Sequence, residues 1–487
     1  MRTIAGYLGK ILILMGVLLV IPMGYAALWG EGRCVAPFLY TALGSITCGL
    51  ILHFRKSSRS PDASQAMVIC ALSWIVLSIA AAVPLVLIIN ASWVDAVFET
   101  MSGFTTTGIT MFTGLDHMPR SVILWRSVTQ WVGGLGILTF FLAVASRIPG
   151  AHRLMVAESH KIASGRPVPG LLHTVKILWT IYIAITAAII FSFHLAGMGL
   201  FDSVNHAFTT LSTGGYSPHD LSIGFYQATG TGHHVLIEYI TIVGMTAGGM
   251  SFLVHYRVFS GQGFKALWDS SEVRLWWILI GSFVLLILIE QLHAGDVSFA
   301  SLERTFRKDL FQVTSIITTT GFATEDLRSS FFGPAARQLF LLMMLIGGCV
   351  GSTSGGIKVL RVSILFNVAL EELRKLFRAD RAISGTRYEG RLLERDELGR
   401  VTGIIFMWLC LLAAGGVITA LLTPEIGGYE AFSGMFSALG NVGPCFISQQ
   451  QMMDLHWMVK VTYIIGMLAG RLEILPVLLL LSRKPWR

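Results

Sequence analysis

Long apolar stretches separated by short polar ones run through the whole chain. Most are about 20 residues long, enough for an α-helix to cross a hydrocarbon core roughly 30 Å thick. They predict helices near 9–29 and 35–54, then in pairs near 65–90 and 121–146, 172–197 and 233–258, 275–293 and 335–377, and 400–422 and 455–482. Within each later pair the pattern changes to a short amphipathic stretch, at 93–103, 201–212, 299–317 and 428–439, followed by a turn rich in Thr and Gly. The pattern predicts an all-α polytopic membrane protein with two N-terminal transmembrane helices and then four repeats of outer helix, pore helix, loop and inner helix. The expected segments are 1–60 for the extra helices and 61–150, 151–262, 263–380 and 381–487 for the repeats.

The turns repeat in sequence as well as in pattern. FETMSGFTTTG at Phe98–Gly108 and FQVTSIITTTG at Phe311–Gly321 share one frame: Phe, three residues, Ser, two residues, Thr-Thr-Thr-Gly. A looser copy ends Ser212-Thr213-Gly214, and a fourth, Ser437–Gly443, keeps a Ser six residues before the Gly. Four such turns in one apolar chain suggest a ring of loops about a pore. A cation crossing a bilayer must exchange its water shell for oxygens, and backbone carbonyls supply them without a fixed charge that would trap it. Successive carbonyls can align only where some residue takes a conformation costly for a side chain, hence Gly. Irregular backbone at membrane depth survives only when buried in protein or lining water. The candidate ion-binding residues are therefore Thr106, Thr107 and Gly108; Ser212, Thr213 and Gly214; Thr319, Thr320 and Gly321; and Asn441, Val442 and Gly443. The carboxyl ends of the preceding half-helices would add partial negative charge beneath such a ring.

Composition agrees with the pattern. With 54% hydrophobic and 13% charged residues, and a mean hydropathy of +0.68, this is no soluble globular protein. The net charge of +8 sits in inter-helix loops and reads as a topology signal, so no nucleic-acid partner is expected; membrane lipid is the surrounding partner. A basic loop, Arg55–Arg59, follows the first two helices; the loops after the inner helices, Arg147–Arg166, Arg257–Arg274 and Lys358–Arg400, and the carboxyl end Arg483–Arg487 are placed in the cytoplasm, and the Thr/Gly turns open to the other side. Asp95, Asp116, Asp220, Glu325, Asp326 and Asp454 lie near that mouth, either concentrating cations or forming a solvated rim. Arg2 and Lys10 precede an apolar run with a signal-peptidase-like Gly24-Tyr25-Ala26, but the run continues to Trp29 without a polar break, so an uncleaved first helix is expected. The six cysteines show no paired spacing, and no disulfide framework or metal site is indicated.

Two further features stand inside apolar spans. Gly347, Gly348, Gly351, Gly355 and Gly356, with Cys349, Ser352, Thr353 and Ser354 and followed by Lys358, interrupt the third inner helix. Gly costs roughly 1 kcal/mol per helical position relative to Ala, so the helix should break there, as a flexible kink or as a loop. Arg471 sits mid-span, where a charge must face water or a partner. It either faces the pore as a positive barrier and loop anchor or pairs with a carboxylate between helices. Glu473, two residues on, is on the wrong side of the helix to be that partner.

These residues resemble the Trk/Ktr/HKT superfamily of potassium transport proteins, specifically the Trk-type membrane subunit of bacteria. The resemblance covers essentially the whole chain. It rests on the four turns, on Trp125–Gly136 (WRSVTQWVGGLG), on Gly347–Lys358 (GGCVGSTSGGIK) and on Gly470-Arg471-Leu472-Glu473. It implies four pseudo-fourfold units with one selectivity glycine each, Gly108, Gly214, Gly321 and Gly443, and a gate loop beneath them at Gly347–Lys358 with Arg471 facing it. Plant relatives that prefer sodium tend to carry Ser at the first of these glycines; Gly108 is intact, which implies potassium. Cys445 departs from the Gly that relatives often have after the Gly-Pro pair. The resemblance further implies potassium uptake at a bacterial inner membrane, a homodimer with one pore per subunit, and an RCK-type cytosolic ring that binds the nucleotide and meets the run Glu371–Arg378. Potassium is then the transported ion, and no organic cofactor is expected in this chain, which has no nucleotide-binding glycine loop. The alternatives are a cation-coupled secondary transporter with a midplane site, disfavoured by repeats of one sense with a single broken inner helix. A membrane enzyme would need a cluster of ionisable residues at one depth.

Overall fold

The computed structural model describes residues 2–54, 61–145, 171–294, 301–377, 385–483 and 486. The expectations for Arg55–Arg59, for Arg147–Arg166 and for Lys484 and Arg487 fall outside these. Arg2–Leu18 and Val20–Leu28 form one apolar span that runs back along Gly32–Phe54. The two helices touch where side chains are absent, since a β-carbon on Gly9 would stand 2.5 Å from the Gly49 carbonyl oxygen.

The four repeats follow in order. Outer helices are Ala63–Ile89, Leu171–Leu195, Ser271–Ala294 and Arg395–Leu422. Half-helices are Trp93–Phe104, Leu200–Leu211, Leu302–Ile317 and Gly428–Gly440, each packed on its outer helix and each ending at its Thr/Gly turn. Local chemistry fixes several starts: Asp62 and Gln65 form a capping box on the first outer helix, and Ser92 caps the first half-helix.

The inner helices differ from the expected continuous spans. Only the first, Arg120–Ala145, is unbroken among the described residues. The second bends by 99° between His234–Gly249 and the segment from Phe252, instead of running 233–258. Its end is set by a neighbour: the Gly248 and Gly249 carbonyls accept from Thr353 N–H (3.2 Å) and Cys349 N–H (3.0 Å) instead of from their own helix. The third splits into Pro334–Leu345 and Val359–Lys375. The fourth stops at Arg471 and resumes as Leu475–Leu480, because Glu473 and Ile474 take positive φ of 62° and 69°. Breaks in three inner helices correct the expectation of one. A small hairpin, Arg387–Tyr388 paired with Arg391–Leu392, also stands where no strand was expected; Glu389 and Gly390 turn it with φ of 47° and 80°.

Outside the turns, charge is spent on joining repeats. Glu99 of the first half-helix meets Arg126 of the first inner helix at 2.8 Å, and Arg307 of the third half-helix meets Glu238 of the second inner helix at 2.7 Å, all four buried. The six acidic residues of the mouth are tied down as well. Asp95 bonds Lys460, Asp116 bonds His219, Glu325 bonds Lys308 and Asp326 bonds Arg328. Asp220 accepts from the Gly114 and Leu115 N–H groups, and Asp454 from Gln450. Four of these tie separate segments together, while Asp326 and Asp454 bond within their own turn.

Two outcomes follow from these ties. Arg126→Ala leaves Glu99 buried without its cation and should cost about 3–5 kcal/mol, read as a lower detergent melting temperature; an unchanged melting temperature would contradict the pairing. His219 donates from Nδ1 to Asp116 (2.5 Å) and from Nε2 to Asp202 (3.2 Å), which only the protonated ring can do. Burial opposes that charge, but the two carboxylates outweigh it and raise the pKa above 6.5. This stability is therefore full below the unfolded value and lost as pH rises through the raised one. The melting-temperature gap between wild type and His219→Gln should be wider near about pH 6 than near about pH 9. Equal gaps would contradict it.

Candidate functional site

The four half-helices end on turns of one conformation. A residue in the left-handed region is followed two positions later by a second positive φ: Thr106 and Gly108 (52°, 85°), Thr213 and Gly215 (53°, 77°), Thr319 and Gly321 (56°, 86°), Asn441 and Gly443 (54°, 103°). The residue between them donates its N–H back to a Ser or Thr carbonyl, Thr107 to Ser102, Gly214 to Thr209, Thr320 to Ser315 (each 2.8 Å) and Val442 to Ser437 (3.0 Å). The second turn is therefore one residue out of the register expected from sequence. Gly215 occupies the place of Gly108, Gly321 and Gly443, and Gly214 occupies that of Thr107. The sequence offers two adjacent glycines there, and Thr209, six residues before Gly215, is the signal that separates them.

Those glycines close a ring in chain order. A β-carbon on Gly108 would strike the Gly214 carbonyl oxygen, one on Gly215 that of Thr320, one on Gly321 that of Val442, and one on Gly443 that of Thr107, all at 2.8 Å or closer. Each turn thus sets its missing side chain against the next turn's carbonyl. Side chains brace the ring from outside. Gln130 of the first inner helix, unassigned by the sequence reading, donates to the Gly214 carbonyl (2.6 Å) and accepts from Tyr216 N–H (3.0 Å). Asn441 donates to Thr107 Oγ1 and to the Met467 carbonyl, both at 2.9 Å. Thr105 with Thr107, and Thr318 with Thr320, share hydroxyl bonds of 2.7 Å. Four carbonyls so placed, with four half-helix carboxyl ends behind them, offer a dehydrated cation oxygen ligands and partial negative charge.

The residues between Leu345 and Val359 form a loop between the two parts of the third inner helix, bonded to neighbouring repeats. Gly347 N–H donates to the Ile357 carbonyl (2.9 Å) and closes its neck. Thr353 Oγ1 bonds the carbonyls of Leu211 (2.9 Å) and Gly248 (3.0 Å) and lies 3.2 Å from Thr213 Oγ1. Gly355 N–H donates to Thr319 Oγ1 at 2.7 Å, and a β-carbon on Gly355 would stand 2.5 Å from Asn441 Cβ. Gly348 N–H donates to Ser354 Oγ (2.9 Å), Ser352 Oγ to the Cys349 carbonyl (2.6 Å), and Lys358 to the Ser354 carbonyl (2.5 Å). The loop therefore touches the αL residues of the second, third and fourth turns. Gly351 and Gly356 supply its two positive-φ positions, 78° and 66°.

Arg471 is buried and donates to carbonyls: Nη1 to Thr353 (2.5 Å), Nη2 to Gly133 (2.9 Å) and Gly134 (3.0 Å). It bridges the loop to the first inner helix. Of the two sequence alternatives, this is the loop anchor; Glu473, across the break, bonds Arg361. Glu238 and His206 are bonded within the scaffold, to Arg307 and to Ser217 with the Asp202 carbonyl.

Relatives share this architecture. Residues 38–485 match the TrkH family, described as cation transport protein. The chain is 30% identical over 495 residues to the Trk system potassium uptake protein TrkH of Escherichia coli (strain K12), covering 100% of this chain and 99% of that one. It is 32% identical over 429 residues to the Trk system potassium uptake protein TrkI of Halomonas elongata, covering 87% and 84%. The crystal structure of the potassium transporter TrkH from Vibrio parahaemolyticus superposes with a TM-score of 0.88 at 30% identity, covering 100% and 99%. The chain belongs to the TrkH family of cation transport proteins, multi-pass proteins of the inner membrane.

Proposed function

We propose that this protein takes up potassium through a channel-like pore whose selectivity filter is the ring of carbonyls at Thr107, Gly214, Thr320 and Val442. The observation that carries the reading is the cyclic contact of Gly108, Gly215, Gly321 and Gly443 with the neighbouring carbonyls. A ring closed in chain order by four repeats of one sense has one axis, and that axis is a path for one ion. The potassium preference rests on the named relatives and on intact glycines in all four turns. Breaks in three inner helices remove one argument against a cation-coupled transporter, but a midplane site between two halves would not need the fourfold closure. The loop Gly347–Lys358, with Cys349, Ser352, Thr353 and Ser354 at its bend, is the gate in this reading. Arg471 is its anchor and a positive barrier. A homodimer and a cytosolic RCK-type nucleotide-binding ring complete the system, the ring acting on the cytoplasmic ends of the third and fourth repeats.

Glycine substitutions test the filter. Gly108→Ser, Gly215→Ser, Gly321→Ser and Gly443→Ser should each lower the potassium-to-sodium flux ratio in liposomes by about tenfold, equal to about 1.4 kcal/mol of discrimination. Gly214→Ala lacks the left-handed backbone and should cost less than Gly215→Ala, with Gln130 shifting to accommodate the methyl group. Wild-type ratios in all the glycine variants would refute the filter.

Arg471 tests the gate. A cation roughly 8 Å from a guanidinium feels about 2 kcal/mol of repulsion at an effective dielectric near 20. Arg471→Ala should therefore raise rubidium flux some tens of fold. Arg471→Lys should raise it less, keeping the charge while losing the fork that spans Thr353 and Gly133. Lower melting temperature with no gain in flux would leave Arg471 a structural residue only.

A further inference from the structure

The loop has one more tie, and it leads out of the membrane. The third outer helix begins at Ser271, and its second residue, Glu272, is buried with a carboxylate oxygen 2.8 Å from Val350 N–H at the loop's bend. Its first residue faces the cytoplasmic hairpin. Ser271 donates its N–H to Glu389 (3.1 Å), and its hydroxyl oxygen lies 2.8 Å from that carboxylate, to which it donates, and 3.0 Å from Tyr388 Oη. Two adjacent residues therefore hold the gate loop on one side and the hairpin on the other.

Apolar packing joins the same parts. Val350 of the loop packs into a small cluster of Leu360 and Ile364 from the helix after the loop, Tyr388 from the hairpin and Val401 from the fourth outer helix. Tyr388 is buried there, whereas Arg387 and Glu389 beside it are exposed. Asn367 adds a bond to the Arg387 carbonyl at 3.4 Å. The hairpin is a two-residue turn of fixed register, held to the cluster that Val350 packs against.

We infer that Glu272 and the hairpin at Arg387–Leu392 form a latch that holds the gate loop in its blocking position and passes cytoplasmic displacement to it. This rests on the loop being the gate. Drawing the hairpin away pulls Tyr388 out of the cluster that Val350 packs against and breaks the Ser271 bonds, and the first turn of the outer helix then loses its hold on Glu272. Glu272 is a positioning residue: it touches the loop backbone and not the ion.

The test uses the full chain in liposomes and reads rubidium uptake with no cytosolic partner, beside detergent melting temperature. Glu272→Ala removes the acceptor of the Val350 N–H bond and should raise basal uptake about tenfold. Glu272→Gln keeps an acceptor and should recover most of the wild-type restraint. Glu389→Ala, exposed and remote from the pore, should still raise uptake, by a smaller factor. The Glu272→Ala/Tyr388→Ala double variant should exceed the larger single effect little, since both act on one latch. Wild-type uptake in Glu272→Ala and Glu389→Ala, with Arg471→Ala raised, overturns the latch and leaves the gate standing. Wild-type uptake in all three overturns the gate itself. Should Glu272→Ala lose its fold, Glu389→Ala alone decides, and unchanged uptake there overturns the latch.

Discussion

The structure depends on four missing side chains. At Gly108, Gly215, Gly321 and Gly443 the backbone takes a positive φ and the next turn's carbonyl occupies the space of a β-carbon. Any side chain at one of them must push a neighbouring turn outward, and because the contacts run round a ring the displacement reaches all four repeats. That constraint explains the investment around it. Gln130, Asn441 and the paired threonine hydroxyls hold the turns from behind. Buried ion pairs such as Glu99 with Arg126 hold the half-helices to the inner helices that brace them.

The same economy governs the intramembrane loop. An irregular segment at this depth must satisfy its backbone inside the protein. It does so by drawing on the scaffold: carbonyls of Gly248 and Gly249, the hydroxyl of Thr319, the carboxylate of Glu272, and a guanidinium donating to its own Thr353 carbonyl. These loans break the second inner helix, and the fourth ends where Arg471 turns to the loop. A loop held by several separable bonds, to the second, third and fourth repeats, can be released stepwise, which suits the gating role proposed for it.

Much of this was legible in the sequence. Span lengths and the Phe–Ser–Thr-Thr-Thr-Gly frame placed the outer and half-helices within a few residues, because apolar length and glycine position are local signals. That Arg471 needs partners was legible because a charge within an apolar span demands them, and it donates to the carbonyls of Thr353, Gly133 and Gly134. The misplacement of Gly214 for Gly215 came from reading the first glycine after a Thr, when the fixed quantity is the five-residue N–H return to Ser102, Thr209, Ser315 or Ser437, which sets the positive-φ glycine six residues after it. The bends of the second and fourth inner helices were not legible, since their cause is hydrogen bonding to a loop some hundred residues away or, at Ile474, a backbone conformation a β-branched residue rarely takes. The acidic residues of the loops stayed ambiguous for a related reason: sequence shows where Asp220 or Asp326 sits but not that a backbone amide or Arg328 bonds it.

The central claim is that the four turns surround an ion with carbonyl oxygens. Crystals of the protein grown in rubidium, with anomalous diffraction recorded at the rubidium edge, test it most directly. The account predicts an anomalous peak on the axis of the ring, equidistant from the carbonyl oxygens of Thr107, Gly214, Thr320 and Val442 and absent in Gly215→Ser. A peak seated instead on carboxylates of the outer mouth, or between two halves of the molecule away from the ring, would contradict it.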